Sequence, residues 1–172
     1  ISAVPFHFWC PDVFEGASIE ITTWLSVASK AAGLGLLLRI VTAITAPLSY
    51  APAVLGHAVR DYISSVDSIT YTSETLQYVT GALAVMAAIT CTVGNLSAYR
   101  QTNLKRLLAF SSIAHAGYML MVVVVVWHPM AVRADAAHPG FAALAFYLAV
   151  YLLMNVGAFG CVAMVYWATG DE

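Results

Sequence analysis

A lysine, Lys30, interrupts the apolar run TTWLSVASKAAGLGLLLRIVTAI. An ammonium near the centre of a bilayer costs at least about 2.5–3.5 kcal/mol on insertion scales, so such a residue faces a bundle interior and serves an ion or proton path. With a helix beginning near Ile19, Lys30 lies about 16 Å along it at 1.5 Å per residue, close to the midplane and too deep for its stem to snorkel out. Ser26 and Ser29 fall within one turn of it, and Gly33 thins the helix surface nearby. Burial and neighbouring charge both move a lysine's proton affinity, which makes the group switchable near physiological pH. The structural alternative is a lysine paired with a carboxylate on another helix.

A second group of proton-handling residues lies in LKRLLAFSSIAHAGYML. His115 is eleven residues after Leu104 and therefore at a similar depth. Imidazole accepts and donates a proton near neutral pH, so His115 with Ser111 and Ser112 is a competent relay; the alternative is a histidine bonded to a backbone carbonyl. Tyr147, Tyr151 and Asn155 recur every four residues and share one helix face. That stripe orders water between sites or joins helices through interhelical hydrogen bonds. Glu20 is either a proton-uptake group or an exposed first-turn acid favoured by the helix dipole. Asn95 is either a packing hydrogen bond or part of the hydrated path. Arg39 is explained by snorkelling. Gly94, Ser97, Gly157 and Gly160 are read as close helix contacts.

Other chemistries lack a pattern. There is no phosphate loop, catalytic triad or redox cysteine pair, and Cys10, Cys91 and Cys161 have no metal or disulfide spacing. His7, Asp12 and Glu15 are too weakly spaced for a metal site; Asp12 and His7 are read as loop-fixing hydrogen-bond residues.

These residues need a membrane framework. The 172 residues are 61% hydrophobic and 9% charged with a mean hydropathy of +0.82, far from ordinary soluble composition. A net charge of −2 gives no hint of nucleic acid. Four stretches, 19–46, 76–99, 104–127 and 141–167, are long enough to cross a core of about 30 Å. Each is expected to be helical, because lipid offers no partner for unpaired backbone groups. The fold class is all-α, a polytopic transmembrane helix bundle forming one partial membrane domain over 1–172. Residues 1–18 are expected to be a membrane-surface loop, punctuated by Pro5, Pro11 and Gly16. Arg100, Lys105 and Arg106 crowd one short connection, which places that side and the 1–18 loop in the cytoplasm, with connections 47–75 and 128–140 in the periplasm. Trp127 and Trp167 suit the interfacial aromatic belt. The chain opens on Ile1 without a signal-peptide pattern, so it is read as starting inside a longer protein, and its end at Asp171-Glu172 fits the same reading. No internal repeat is evident.

The blocks VPFHFWCPDVFEGA, SVASKAA and GNLSAYRQTNLKRLLAFSSIAHAGYML resemble the N-type antiporter-like membrane subunits of bacterial NADH-quinone oxidoreductase, respiratory complex I, whose mitochondrial counterpart is subunit 2. The resemblance covers essentially the whole chain, and the PFHFWCPDVFEGA form favours N-type over L- and M-type relatives. It implies that the spans are helices 8 to 11 of about fourteen, and that Lys30 is the central lysine passing protons between two half-channels. The family's helix-7 lysine would lie just upstream of Ile1, and its helix-5 glutamate and helix-12 lysine also lie elsewhere. Where relatives often carry prolines after EGA, this chain reads Gly16-Ala17-Ser18-Ile19-Glu20. The resemblance implies no cofactor here, with NADH, FMN, iron–sulfur clusters and quinone in other subunits. It implies as partners the M-type, K-type and J-type membrane subunits, lipid and protons, and as location a bacterial inner membrane. The alternatives are an Mrp-type cation/proton antiporter or membrane-bound hydrogenase subunit, and a pump-silent structural subunit.

Overall fold

The computed structural model describes residues 2–45, 68–127 and 137–170. Five helices are seen among them: α1 (Trp9–Gly16), α2 (Ile19–Thr45), α3 (Ser68–Ala98), α4 (Leu104–Trp127) and α5 (Ala137–Thr169). The last four each contain a segment long and apolar enough to span a membrane. This is the expected all-α transmembrane bundle. Of the expected connections 47–75 and 128–140, residues 47–67 and 128–136, with Arg60 and Arg133, lie outside the described residues, and the remainder belongs to α3 and α5.

Helix starts differ from the sequence reading at three places. α3 begins at Ser68 rather than 76, so eight polar-flanked residues extend the helix beyond its apolar part. α5 begins at Ala137 rather than 141, with Pro139 in its first turn, where the missing N–H has no intrahelical acceptor to lose. The third difference is larger, because the 1–18 segment contains α1. Pro11 is the third residue of that helix and Gly16 its last, so both residues read as helix breakers occupy positions that helices tolerate.

Nor does this segment stay at the surface. Val4 N–H donates to Thr90 Oγ1 at 3.1 Å, and Thr90 lies eight residues, about 12 Å, inside the end of α3. Ser2, Ala3, His7, Cys10 and Phe14 are buried. Irregular backbone at membrane depth survives only when enclosed by protein or lining a watery cavity. Here the Thr90 hydroxyl takes a backbone donor, and Pro5 has none to satisfy. From that depth α1 climbs back toward the start of α4. Arg106 Nη1 donates to Glu15 Oε2 at 2.7 Å, and Nη2 lies 3.5 Å from Asp12 Oδ1. The start of α4 is itself capped, Asn103 Oδ1 accepting from the N–H groups of Lys105 and Arg106 at 2.9 and 3.3 Å.

α4 is the central helix, packing on α3, α5, α2 and α1. Its closest approach is to α3, and glycine makes that possible. A Cβ on Gly94 would sit 2.7 Å from Ala114 N, and one on Gly117 would sit 2.6 Å from Cys91 Sγ and 2.8 Å from Cys91 N. The expected close contact at Gly94 is present, whereas a Cβ on Gly157 or Gly160 would meet nothing within 4 Å among the described residues. Two apolar clusters fill the bundle. One joins Val27, Leu34, Leu83, Met119, Val123 and Leu144; the other joins Phe14 of α1 to Ala109, Ile113 and Phe159. Gly117→Val is expected to destabilise the purified protein by about 1–3 kcal/mol through overpacking, measured as a lowered midpoint of thermal unfolding in detergent; an unchanged midpoint would contradict the close α3/α4 contact.

Candidate functional site

Lys30 is 1% exposed, at the middle of α2. Its surroundings follow from helix geometry. Side chains four residues apart lie over one another, so Lys30 Nζ reaches back to donate to the carbonyl of Ser26 at 3.1 Å. Its second bond crosses to α4, where Nζ donates to Ser112 Oγ. Ser112 also accepts from Tyr151 Oη of α5 at 3.0 Å, and Asn155 Nδ2 donates to the Tyr151 carbonyl at 2.9 Å. Lys30, Ser112, Tyr151 and Asn155 are all buried. Three helices thus meet at one serine hydroxyl, and that hydroxyl holds two donors.

A second chain starts one turn further along α4. His115 Nδ1 lies 2.6 Å from Tyr147 Oη of α5, and its ring packs edge-on against Tyr118, with centroids 5.7 Å apart at 80°. The two chains meet through rings rather than through a hydrogen bond: His115 and Tyr151 have centroids 5.0 Å apart, tilted at 46°. Tyr118 Oη in turn accepts from Asn95 Nδ2 of α3 at 3.0 Å.

Of the residues proposed from sequence, Lys30, Ser112, Tyr151 and Asn155 form one hydrogen-bonded set, and His115 and Tyr147 form the other. Ser26 belongs to the first set through its backbone oxygen, its hydroxyl being turned to the Thr23 carbonyl at 2.7 Å. Ser111 is half-buried, and a helix rotates adjacent residues by about 100°, so it does not share Ser112's direction. Glu20 is exposed and lines an open groove of about 540 Å³ between α2 and α5 with Trp24, Phe159 and Gly160. It stands ten residues, about 15 Å, from Lys30 along α2, away from both chains.

No carboxylate is bonded to Lys30 among the described residues; its acceptors are the hydroxyl of Ser112 and the carbonyl of Ser26. The histidine alternative, a bond to a backbone carbonyl, is replaced by the Tyr147 hydroxyl. His7 does not fix the opening segment by hydrogen bonding at Nδ1, which is buried without a partner; its ring packs on Phe8. Asp12 and Glu15 do fix it, through Arg106. No group of three or more His, Cys, Asp or Glu is placed to hold a metal among the described residues. Sequence reading also passes over Tyr118, although its i, i+3 spacing from His115 puts both on one face.

The arrangement suits proton handling. Hydroxyls donate and accept by rotation, imidazole carries one donor and one acceptor nitrogen and exchanges them by gaining and losing a proton, and each lies against a group that can supply or take a proton. Ser112→Ala would leave the Tyr151 hydroxyl and one Lys30 donor without their acceptor. A loss of about 1–3 kcal/mol in stability is expected, against under about 0.5 kcal/mol for Ser111→Ala. Parallel thermal unfolding of the two variants in detergent checks this, and equal midpoints would remove Ser112 from its bridging role.

The chain's relatives agree with this architecture. A family model described as NADH:quinone oxidoreductase/Mrp antiporter, transmembrane, matches residues 1–59 and 62–171. NADH-quinone oxidoreductase subunit N of Anaeromyxobacter sp. (strain Fw109-5) is 43% identical over 173 residues, covering 100% of this chain and 28% of that protein. Subunit N 1 of Roseiflexus castenholzii is 42% identical over 172 residues, with the same coverage. The chloroplastic NAD(P)H-quinone oxidoreductase subunit 2 of Chaetosphaeridium globosum is 36% identical over 172 residues, covering 100% of this chain and 27% of that protein. The chain thus spans little more than a quarter of the length of these curated relatives. It belongs to the NADH:quinone oxidoreductase/Mrp antiporter family of transmembrane proteins, and its whole length resembles the subunit N members.

Proposed function

We propose that this chain is the central part of a proton-translocating, non-redox membrane subunit of an NADH:quinone oxidoreductase, respiratory complex I. The observation that carries the reading is a lysine enclosed at mid-span and bonded, through one serine, to a tyrosine on a third helix. An apolar packing role would need no such group there, and the insertion cost of a charge argues for a function that uses it. NADH oxidation and quinone reduction, with FMN and iron–sulfur clusters, are placed in other subunits. M-type, K-type and J-type membrane subunits are the proposed neighbours, the bacterial inner membrane the proposed location, and helices 8 to 11 of about fourteen the proposed place of α2 to α5. The 99–106 side is proposed to face the cytoplasm, because Arg100, Lys105 and Arg106 gather there.

The mechanism follows from who donates to whom. Ser112 accepts from both Lys30 and Tyr151, so a proton leaving Lys30 for Tyr151 requires the phenol to turn and expose its oxygen. Asn155 holds the Tyr151 backbone and limits the motion to the hydroxyl. Transfer to His115 then crosses the ring contact by way of water. A neighbouring charge that alters the proton affinity of Lys30 tenfold supplies about 1.4 kcal/mol, so a charge shift in an adjacent subunit is enough to load or unload it. Ser26, Ser111 and Glu20 are proposed as hydration sites along the approach.

The family also contains Mrp antiporters, and a cation/proton antiporter would use the same lysine without redox drive. NADH-driven proton uptake by vesicles carrying Lys30→Ala in the full-length protein separates the readings, alongside electron-transfer rate and complex assembly. Loss of uptake in an assembled complex is expected. Normal uptake and normal electron transfer would make Lys30 structural, and absence of NADH dependence in the unmodified membrane would favour the antiporter.

A further inference from the structure

We propose that Tyr118 and Asn95 form a side branch of the proton path, connecting His115 to the Arg100 side of the α3/α4 pair; this rests on the reading of Lys30 and His115 as proton carriers. Three observations carry it. Tyr118 follows His115 by three residues and meets its ring edge-on at 5.7 Å. Long side chains on a helix lean toward its N-terminus, so the phenol of Tyr118 runs back toward the start of α4, where its oxygen accepts from Asn95 Nδ2 at 3.0 Å. Asn95 lies three residues from the end of α3, in the turn that leads to Arg100.

Asn95 is exposed and Tyr118 is 39% exposed, so both polar groups face outward from the described helices within membrane spans, where their bond also joins α3 to α4; a phenylalanine at 118 would cover the same apolar area. What the bond fixes is direction. With the amide donating into the phenol oxygen, the phenol proton remains to be donated onward. The Nδ1 of His115 is engaged by Tyr147, which leaves the other ring nitrogen as the partner for Tyr118, reached through one water. A proton taken up by the Tyr118 oxygen from the Arg100 side is balanced by release of the phenol's own proton toward His115. Tyr118 is then a relay residue and Asn95 a positioning residue. His115 would have two proton-exchanging neighbours, Tyr147 on α5 and Tyr118 on α4, with Tyr118 the inlet from the end of α3.

The test uses the full-length subunit in its native membrane complex, measuring NADH-driven proton uptake and electron transfer in vesicles for Tyr118→Phe, Asn95→Leu and Asn95→Ser. Tyr118→Phe keeps the ring contact and removes only the hydroxyl. It is expected to reduce proton uptake in an assembled complex, by less than Lys30→Ala does, because the Tyr147 route remains. Asn95→Leu is expected to reduce uptake, and Asn95→Ser, which retains a donor, to restore it, a rescue that a purely structural asparagine would not show. Normal uptake in Tyr118→Phe or in Asn95→Leu, with Lys30→Ala defective, overturns the branch and leaves the proposed function standing. Normal uptake in all of them, Lys30→Ala included, overturns both.

Discussion

The bond network of one ammonium organises this bundle. Lys30 sits where an unpaired charge would be expelled by lipid, and it stays because Ser26 of α2 and Ser112 of α4 supply acceptors, with Tyr151 of α5 bonded to the same serine. That requirement fixes relative positions. Ser112 must face α2, Tyr151 must approach from α5, and α4 must therefore be surrounded, as its buried residues from Ala109 to Val126 show. Glycine solves the remaining crowding, since Gly94 and Gly117 bring α3 onto the far face of α4 at backbone contact distance.

The segment before α2 obeys the same logic by a different device. Backbone that leaves a helix inside a membrane must find partners, and residues 2–8 find them in the Thr90 hydroxyl, in a local bond from Phe6 N–H to the Ala3 carbonyl at 2.7 Å and in α1. At the other end of the segment, Arg106 gathers Asp12 and Glu15 at the start of α4. Because these pairs are partly exposed, their net contribution is modest; what they set is the side of the bundle to which α1 returns. The helix that carries Ser112 and His115 is thus tied to the approach to α2 by ions at its start and by apolar packing of Phe14 on Ile113 deeper in.

Sequence alone carried most of the frame, for physical reasons that differ by residue. A charge in an apolar run is legible because few other patterns produce it, and the four-residue stripe of Tyr147, Tyr151 and Asn155 is legible because helical period is regular. Ser112 and Ser111 were not separable, since choosing between adjacent residues needs the rotation of α4 about its axis, which packing sets. α1 was hidden by Pro11 and Gly16, whose tolerated positions depend on where the helix starts. The depth reached by residues 2–8 was illegible because it rests on a single long-range bond, Val4 to Thr90. Gly157 and Gly160 show the converse limit: small residues signal closeness without naming the partner.

The break between the two polar chains bears on how the proposed proton path would keep direction. Lys30, Ser112 and Tyr151 are continuous, and so are His115 and Tyr147, and the two sets meet at the tilted rings of His115 and Tyr151. A fully bonded wire would equilibrate protons freely between its ends and could not hold a gradient against them. A gap bridged only when a phenol turns or a water enters makes transfer conditional on local geometry, and that geometry is set by Ser112, the same hydroxyl that holds the lysine. In the proposed proton path, loading Lys30 and opening the way onward would therefore depend on one residue. Coupling of this kind needs no large motion of the helices, only rotation of hydroxyls whose backbone supports are fixed by Asn155 and by the close α3/α4 packing.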